Sequence, residues 1–315
     1  MKARTLSAFA LTVIMTAAPL AAADLVPRVR TLVLQQKDAA AARRLVEDNR
    51  PPQPKVTAEW LAAASWVARG ASAAQQWDLA RQYAQEVFDA SVEMLAKRPL
   101  DADRDLPTAL GASIEVLAQV NDAAGERASA VSFLRRQREN YKGTSIEPRI
   151  QKNLLLLDFE GKPFPALAVD KYIGPKPRST AELQGKVVLF FFWAHWCSDC
   201  KRQKPILEAL HSDYEGRGLV IAGPTKFYGY VARGEDATPE QELDYLTNAY
   251  QQQYPLPKWM SVPISNDNFL NFGVSSTPTL VLVDRSGIVR MYHPGDMTRE
   301  ELEARILPLL AEQSD

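Results

Sequence analysis

The stretch FFFWAHWCSDCKRQKP, residues 190 to 205, holds Cys197 and Cys200, the only two cysteines in 315 residues. An unbroken apolar run, KVVLFFFWA (186–194), leads into it and reads as a central strand covered on both faces. KRQKPILEALHSDYEGRG (201–218) follows with helical periodicity. Cys197 therefore stands where a strand hands over to a helix. There the unpaired N–H groups and the helix dipole favour a thiolate over the free thiol, whose pKa is about 8.5. The spacing of three puts Cys200 nearly one turn later on the same face, within reach of a disulfide. Cys197 is expected to be the more exposed, attacking thiol and Cys200 the resolving one.

Strand and helix alternate from this point onward. GLVIAG (218–223) is a strand, and TPEQELDYLTNAYQQQY (238–254) a helix capped by Thr238 with Glu240 and Glu242 in its first turns. TLVLVDRSGIVRMY (279–292) is a hairpin turning at Asp284–Gly287, and TREELEARILPLLAEQ (298–313) a closing helix capped by Thr298. That order implies a compact α/β layer arrangement.

WCSDC after a hydrophobic strand, with Lys201 next and Pro205 beyond, resembles the active site of thioredoxin-fold proteins. VVLFFFWAHWCSDCKRQKP is most similar to the exported TlpA/ResA-like thiol:disulfide oxidoreductases, a redoxin group. STPTLVLVDRSGIV (276–289) matches the second hallmark of that fold. The resemblance implies that Thr277 and Pro278 form a cis-proline loop facing the cysteines and offering backbone groups to an extended substrate. It covers about residues 164 to 312. Two familiar proton acceptors are missing. Phe191 stands where thioredoxins carry a buried aspartate, and Gln203 where some relatives carry a glutamate. Lys201, Lys204, Asp199 or water are the substitutes on offer. Asp199, between the cysteines, raises a neighbouring thiol's pKa, which favours a reductant or isomerase-like donor over a disulfide-forming oxidant.

Ahead of this half the chain reads as helix after helix. TAEWLAAASWVARGA (57–71) has Thr57 as N-cap and Trp60, Leu61, Ala64 and Val67 at helical spacing. A second stripe runs from Trp77 through Tyr83, Val87 and Phe88 to Leu95 and stops at Pro99. Segments 106–125, 126–143 and 147–159 supply three more helices. The paired helices loosely resemble a tetratricopeptide-like stack, and a plain helical bundle fits as well. GKPFPALAVDKYIGPKP (161–177) shifts to Pro, Gly and Lys, marking a boundary and an opening hairpin. The fold expected is thus two domains, an all-α N-terminal domain over 24–163 and an α/β thioredoxin-like domain over 164–315.

Residues 1–23 have the three-part pattern of a signal peptide: Lys2 and Arg4, an apolar run from Leu6 to Ala18, then Ala21–Ala23. This implies export to the periplasm or a like compartment with cleavage after Ala23; an uncleaved membrane anchor is the alternative. The net charge of −1 and the lack of a Lys/Arg block argue against nucleic acid.

Other chemistries fit less well. Zinc needs two further ligands, and the histidines are only His195, His211 and His293. His195 is expected exposed on the turn and His211 at the surface. No metal or cofactor is assigned, although Cu(I) handling by the thiols and a histidine is a rival reading. The Pro-x-x-x-Thr-x-x pattern of peroxide-reducing relatives is absent, and a structural staple this short constrains the unfolded chain little. Trp196 is expected half-exposed as a substrate contact. PTKFYGYVARGEDATPE (224–240) either lines the substrate groove or covers the sheet edge. The function expected is dithiol–disulfide exchange on client proteins, re-reduced by an envelope donor such as a membrane thiol conduit. The helical half docks partners or, as an alternative, makes the chain an adaptor whose redox pair is secondary.

Overall fold

The computed structural model describes residues 25–52 and 55–312. The proposed leader, its cleavage point and the start of the helical domain at Asp24 lie outside them. Among the described residues no helix is long and apolar enough to cross a membrane.

Among the described residues seven α-helices form the N-terminal half: α1 (Leu25–Leu34), α2 (Ala39–Asp48), α3 (Ala58–Ala73), α4 (Trp77–Leu95), α5 (Asp105–Ala123), α6 (Arg127–Asn140) and α7 (Glu147–Asp158). Helices α3, α4 and α5 pack on one another, α1 and α2 pack on α3, and α6 and α7 pack on α5. Alanine makes this possible. Ala62, Ala63, Ala64 and Ala68 of α3 and Ala109 and Ala112 of α5 are all buried, and such small side chains let helix axes approach on every side. Thr57 caps α3, its hydroxyl accepting from the Trp60 amide, as the sequence implies.

The C-terminal half is built on a four-stranded sheet ordered β3-β2-β5-β6, with β2 (Val187–Phe192), β3 (Leu219–Ala222), β5 (Thr279–Val283) and β6 (Val289–Pro294). Strand β2 runs parallel to β3 and antiparallel to β5, which is antiparallel to β6. Alternation along β2 decides the layers. Leu189 and Phe191 join Leu280 and Leu282 in the core under α9 (Ser198–Tyr214) and α13 (Arg299–Ala311). Val188, Phe190 and Phe192 point the other way, to Phe269, Phe272 and Val281. All six β2 residues are buried, as expected of a strand covered on both faces.

Two local expectations are corrected. Residues 161–177 form no hairpin: β1 (Lys171–Ile173) pairs antiparallel with β4 (Val262–Ile264), a partner distant in sequence. The helix expected over 238–254 breaks at Asn248 into α10 (Pro239–Thr247) and α11 (Ala249–Gln253), because Asn248 adopts φ −117°, ψ −83°. Short helices α8 (Thr180–Leu183) and α12 (Asn266–Asn271) went unread.

The two halves are packed together. Phe159, just past α7, lies in the sheet's core with edge-to-face contacts to Phe272 and Tyr292. Gly273, in the loop after α12, has φ +59°, and a Cβ there would stand 2.9 Å from the Lys152 amide nitrogen of α7. The absence of a side chain lets helix and loop touch backbone to backbone.

Candidate active site

Strand β2 delivers Trp193 and Ala194 to the top of the sheet, both buried. The Trp193 indole donates to the Gly223 carbonyl at 2.9 Å, and the Trp193 carbonyl accepts from the Thr225 hydroxyl at 2.8 Å and the Tyr228 hydroxyl at 3.2 Å. These bonds fix the turn that follows. Cys197 is the N-cap of α9, and its Sγ accepts the Cys200 amide at 3.1 Å. The structure joins Cys197 and Cys200 in a disulfide, Cα to Cα 5.3 Å. On the opposite side Cys197 Sγ lies 3.4 Å from the Thr277 carbonyl oxygen. The Thr277–Pro278 peptide is cis. Trp196 is half-exposed and meets the Tyr228 ring edge-on at 5.6 Å.

Cys197, expected to be the more exposed thiol, is buried almost as fully as Cys200. The two residues are 4% and 3% exposed, because the capping interaction and the Thr277 carbonyl enclose Sγ of Cys197 from both sides.

His195, expected on the surface, is buried. The rings of Tyr228, Tyr230 and Tyr245 surround it edge-on, and its Nε2 lies 3.5 Å from Glu242 Oε1. Glu242 is fully buried and accepts the amides of Tyr228 and Gly229 at 2.9 Å. Burial lowers the His195 pKa, with Lys201 adding to the effect against an opposing bond from the imidazole to the Tyr230 backbone carbonyl. Burial raises that of Glu242 against its backbone donors. Both groups are pushed toward their uncharged forms. His211 is also less open than expected, because it stacks on Trp259 at 3.7 Å.

The suggested proton acceptors are engaged elsewhere. The Lys201 ammonium sits over the Tyr254 ring at 3.9 Å, and Lys204 donates to the Pro255 carbonyl at 2.6 Å. Asp199 pairs with Arg202 at 2.8 Å on the open side of the helix. Gln203 is buried, and its Oε1 accepts from the Met297 amide at 2.8 Å.

The loop 224–240 lines a cleft rather than only the sheet edge. Lys226, Tyr228, Trp196 and Thr277 border a cavity of about 490 Å³, and its other wall belongs to the helical half. Sequence reading missed that wall and the His195–Glu242 pair. A signal existed for Glu242, which shares the stripe of Tyr245 and Leu246 at i+3 and i+4 on α10.

The match of residues 176–308 to the thioredoxin-like domain family agrees with this architecture. The chain is 31% identical over 153 residues to the thiol:disulfide interchange protein DsbE of Xylella fastidiosa, covering 48% of this chain and 70% of that protein. The chain belongs to the thioredoxin-like thiol:disulfide oxidoreductases. A second relative of this oxidoreductase, ResA of Bacillus thuringiensis, is named a thiol-disulfide oxidoreductase and is 27% identical over 45% of this chain and 74% of its own. A solved thiol-disulfide isomerase from Corynebacterium glutamicum aligns at 19% identity and a TM-score of 0.38, over 47% of this chain and 97% of that one.

Proposed function

We propose that this oxidoreductase reduces disulfides of client proteins with Cys197 as nucleophile. The observation that carries the reading is Cys197 Sγ at the N-cap of α9, accepting the Cys200 amide at 3.1 Å. A reduced Cys197 held there is stabilised as thiolate by that N–H and by the helix terminus. The thiolate attacks one client sulfur, forming a mixed disulfide and releasing the other client sulfur as thiolate. Cys200, as thiolate, then attacks Cys197 Sγ and frees the second client sulfur. Two electrons pass to the client, whose two thiolates take up protons, and the Cys197–Cys200 disulfide remains. A dithiol donor in the envelope, such as a membrane thiol conduit, reverses that state.

Trp196, Thr277 and Pro278 are assigned to substrate binding: Trp196 as a half-exposed apolar platform, the cis Thr277–Pro278 loop as the backbone edge beside the sulfur. With Asp199 paired to Arg202, its push on the thiol is weakened. The reductant reading then rests more on family likeness than on that carboxylate. We place the work in the periplasm, on the strength of the N-terminal pattern of residues 1–23. We divide the chain at 163/164, with the helical domain docking client protein.

Insulin reduction by the full chain with a thiol donor tests the reading. Turnover is expected from wild type and none above background from Cys197→Ser. Equal turnover by that variant would refute it, and a reduction potential near that of strong oxidants, about −120 mV, would reverse the direction.

A further inference from the structure

The cavity beside the cysteines has two walls from different domains. One is Trp196, Lys226 and Thr277 of the α/β half; the other is Arg69 of α3, Glu115 of α5, and Arg149 and Lys152 of α7. Among the described residues Glu115 is the single carboxylate lining it, against four cations. Its carboxylate is already saturated: Arg149 Nε lies at 2.8 Å, Lys152 Nζ at 3.5 Å, Arg69 Nε at 3.8 Å and Asn153 Nδ2 at 3.4 Å. Among the described residues Lys226 has no carboxylate in its contacts. Its ammonium lies 5.5 and 5.3 Å from the Tyr228 and Phe269 rings and 3.4 Å from Asn266 Oδ1. One buried anion therefore organises the cations without balancing them, and the cleft keeps a positive surplus.

The position of the cleft gives that surplus a use. Its lining includes Trp196, next to Cys197 in sequence, and Thr277, whose carbonyl is 3.4 Å from Cys197 Sγ. An extended chain advances about 3.3 Å per residue, so side chains one to three positions from a client cysteine bonded to Cys197 reach the cleft. Clefts lined by one sign of charge concentrate ligands of the opposite sign.

We infer that the helical domain is a specificity wall of the active site, and that the preferred client disulfide lies in an extended segment with Asp or Glu flanking the attacked cysteine. This deepens the reductase reading and rests on it. The helical domain then selects which disulfide enters, in addition to any docking it does elsewhere.

The test uses the full chain and three model peptides, each closed by one disulfide and identical except for Glu, Gln or Lys at the two positions on either side of the attacked cysteine. Glutathione disulfide, which carries carboxylates without an extended chain, is the fourth substrate. The expected order of kcat/KM is Glu, then Gln, then Lys, with a ratio of about tenfold between the ends that shrinks as salt is raised. Removing Arg149 or Lys152 would strip a close partner from buried Glu115; Arg69, whose Nε stands furthest from it at 3.8 Å, is the helical-wall cation least committed to that carboxylate, so the variants are Lys226→Gln and Arg69→Gln. Each is expected to lower the Glu-to-Lys ratio by about threefold. Should Arg69→Gln fail to fold, Lys226→Gln alone decides. Equal kcat/KM for the three peptides, a ratio unchanged in the variants, or glutathione disulfide outrunning the Glu peptide overturns the inference while leaving the reductase reading intact. Turnover of none of the four substrates overturns both.

Discussion

His195 and Glu242 meet inside a shell of three tyrosine rings, Nε2 to Oε1 at 3.5 Å, two residues before the first cysteine. Glu242 holds the loop that carries Tyr228, and Tyr228 in turn bonds the Trp193 carbonyl and meets Trp196. The pair is a support for the turn that presents Cys197. Glu242→Ala removes the acceptor for the Tyr228 and Gly229 amides. A loss of about 2–4 kcal/mol in denaturant unfolding is expected, together with slower insulin reduction, since an unmade buried bond costs about 1–3 kcal/mol. Stability within error of wild type would contradict this role.

The histidine of this pair contributes a pH dependence with a definite sign. The folded His195 pKa is below its ordinary 6.5, so on acidification the unfolded chain takes up a proton there before the folded one does. Stability is then lost as pH falls from about 6.5 toward the folded value. Unfolding free energies measured from pH 8 to pH 5 should decline in wild type, and less steeply in His195→Gln. Parallel curves would rule the histidine out as the source.

Glu115 adds a loss of the same sign in a lower window. Burial alone would raise its carboxyl, but Arg149, Lys152 and Arg69 overrule it and hold the pKa down to about 2. Its contribution is present above 4.5 and disappears as pH falls toward 2, about 3 kcal/mol across that span. Glu115→Gln should flatten the acid limb between pH 4.5 and 2. Arg149→Gln, which strips a partner from the buried carboxylate, should cost about 3 kcal/mol at pH 7.

Gly273 sets how closely the helical half approaches the cis-proline loop. At φ +59° an alanine is strained, and its Cβ would press on the α7 backbone at Lys152 and Gln151, at 2.9 and 3.0 Å. Gly273→Ala should destabilise the full chain by about 2 kcal/mol or more. Amide exchange should rise in α7 and around Thr277 rather than in α3. A neutral substitution would show that the contact yields freely.

The strand–CxxC–helix unit was legible because its signals are local. An apolar run with no charge from Val187 to Ala194 reads as covered on both faces, and two cysteines three apart at a helix start are within reach of one another. Thr238 and Thr298 were legible as caps for the same reason, each forming a capping box three residues long. What sequence could not give was pairing across distance. Strand β1 finds β4 some ninety positions later, which no turn signal announces. His195 looked like a turn residue because its cover, the three tyrosines and Glu242, comes from residues 228 to 245. The charged wall was hidden for a like reason. Glu115 is the only charged residue from Leu106 to Val120, an oddity on a buried helix, but its partners sit on α3 and α7.

The central claim is that Cys197 is the sulfur that meets the client. Cys200→Ser in the full chain, incubated with oxidised client protein and quenched in acid, should accumulate a mixed disulfide that mass spectrometry maps to Cys197 and that added dithiol releases. Adducts absent from Cys200→Ser, or formed equally well by Cys197→Ser through Cys200, would contradict it.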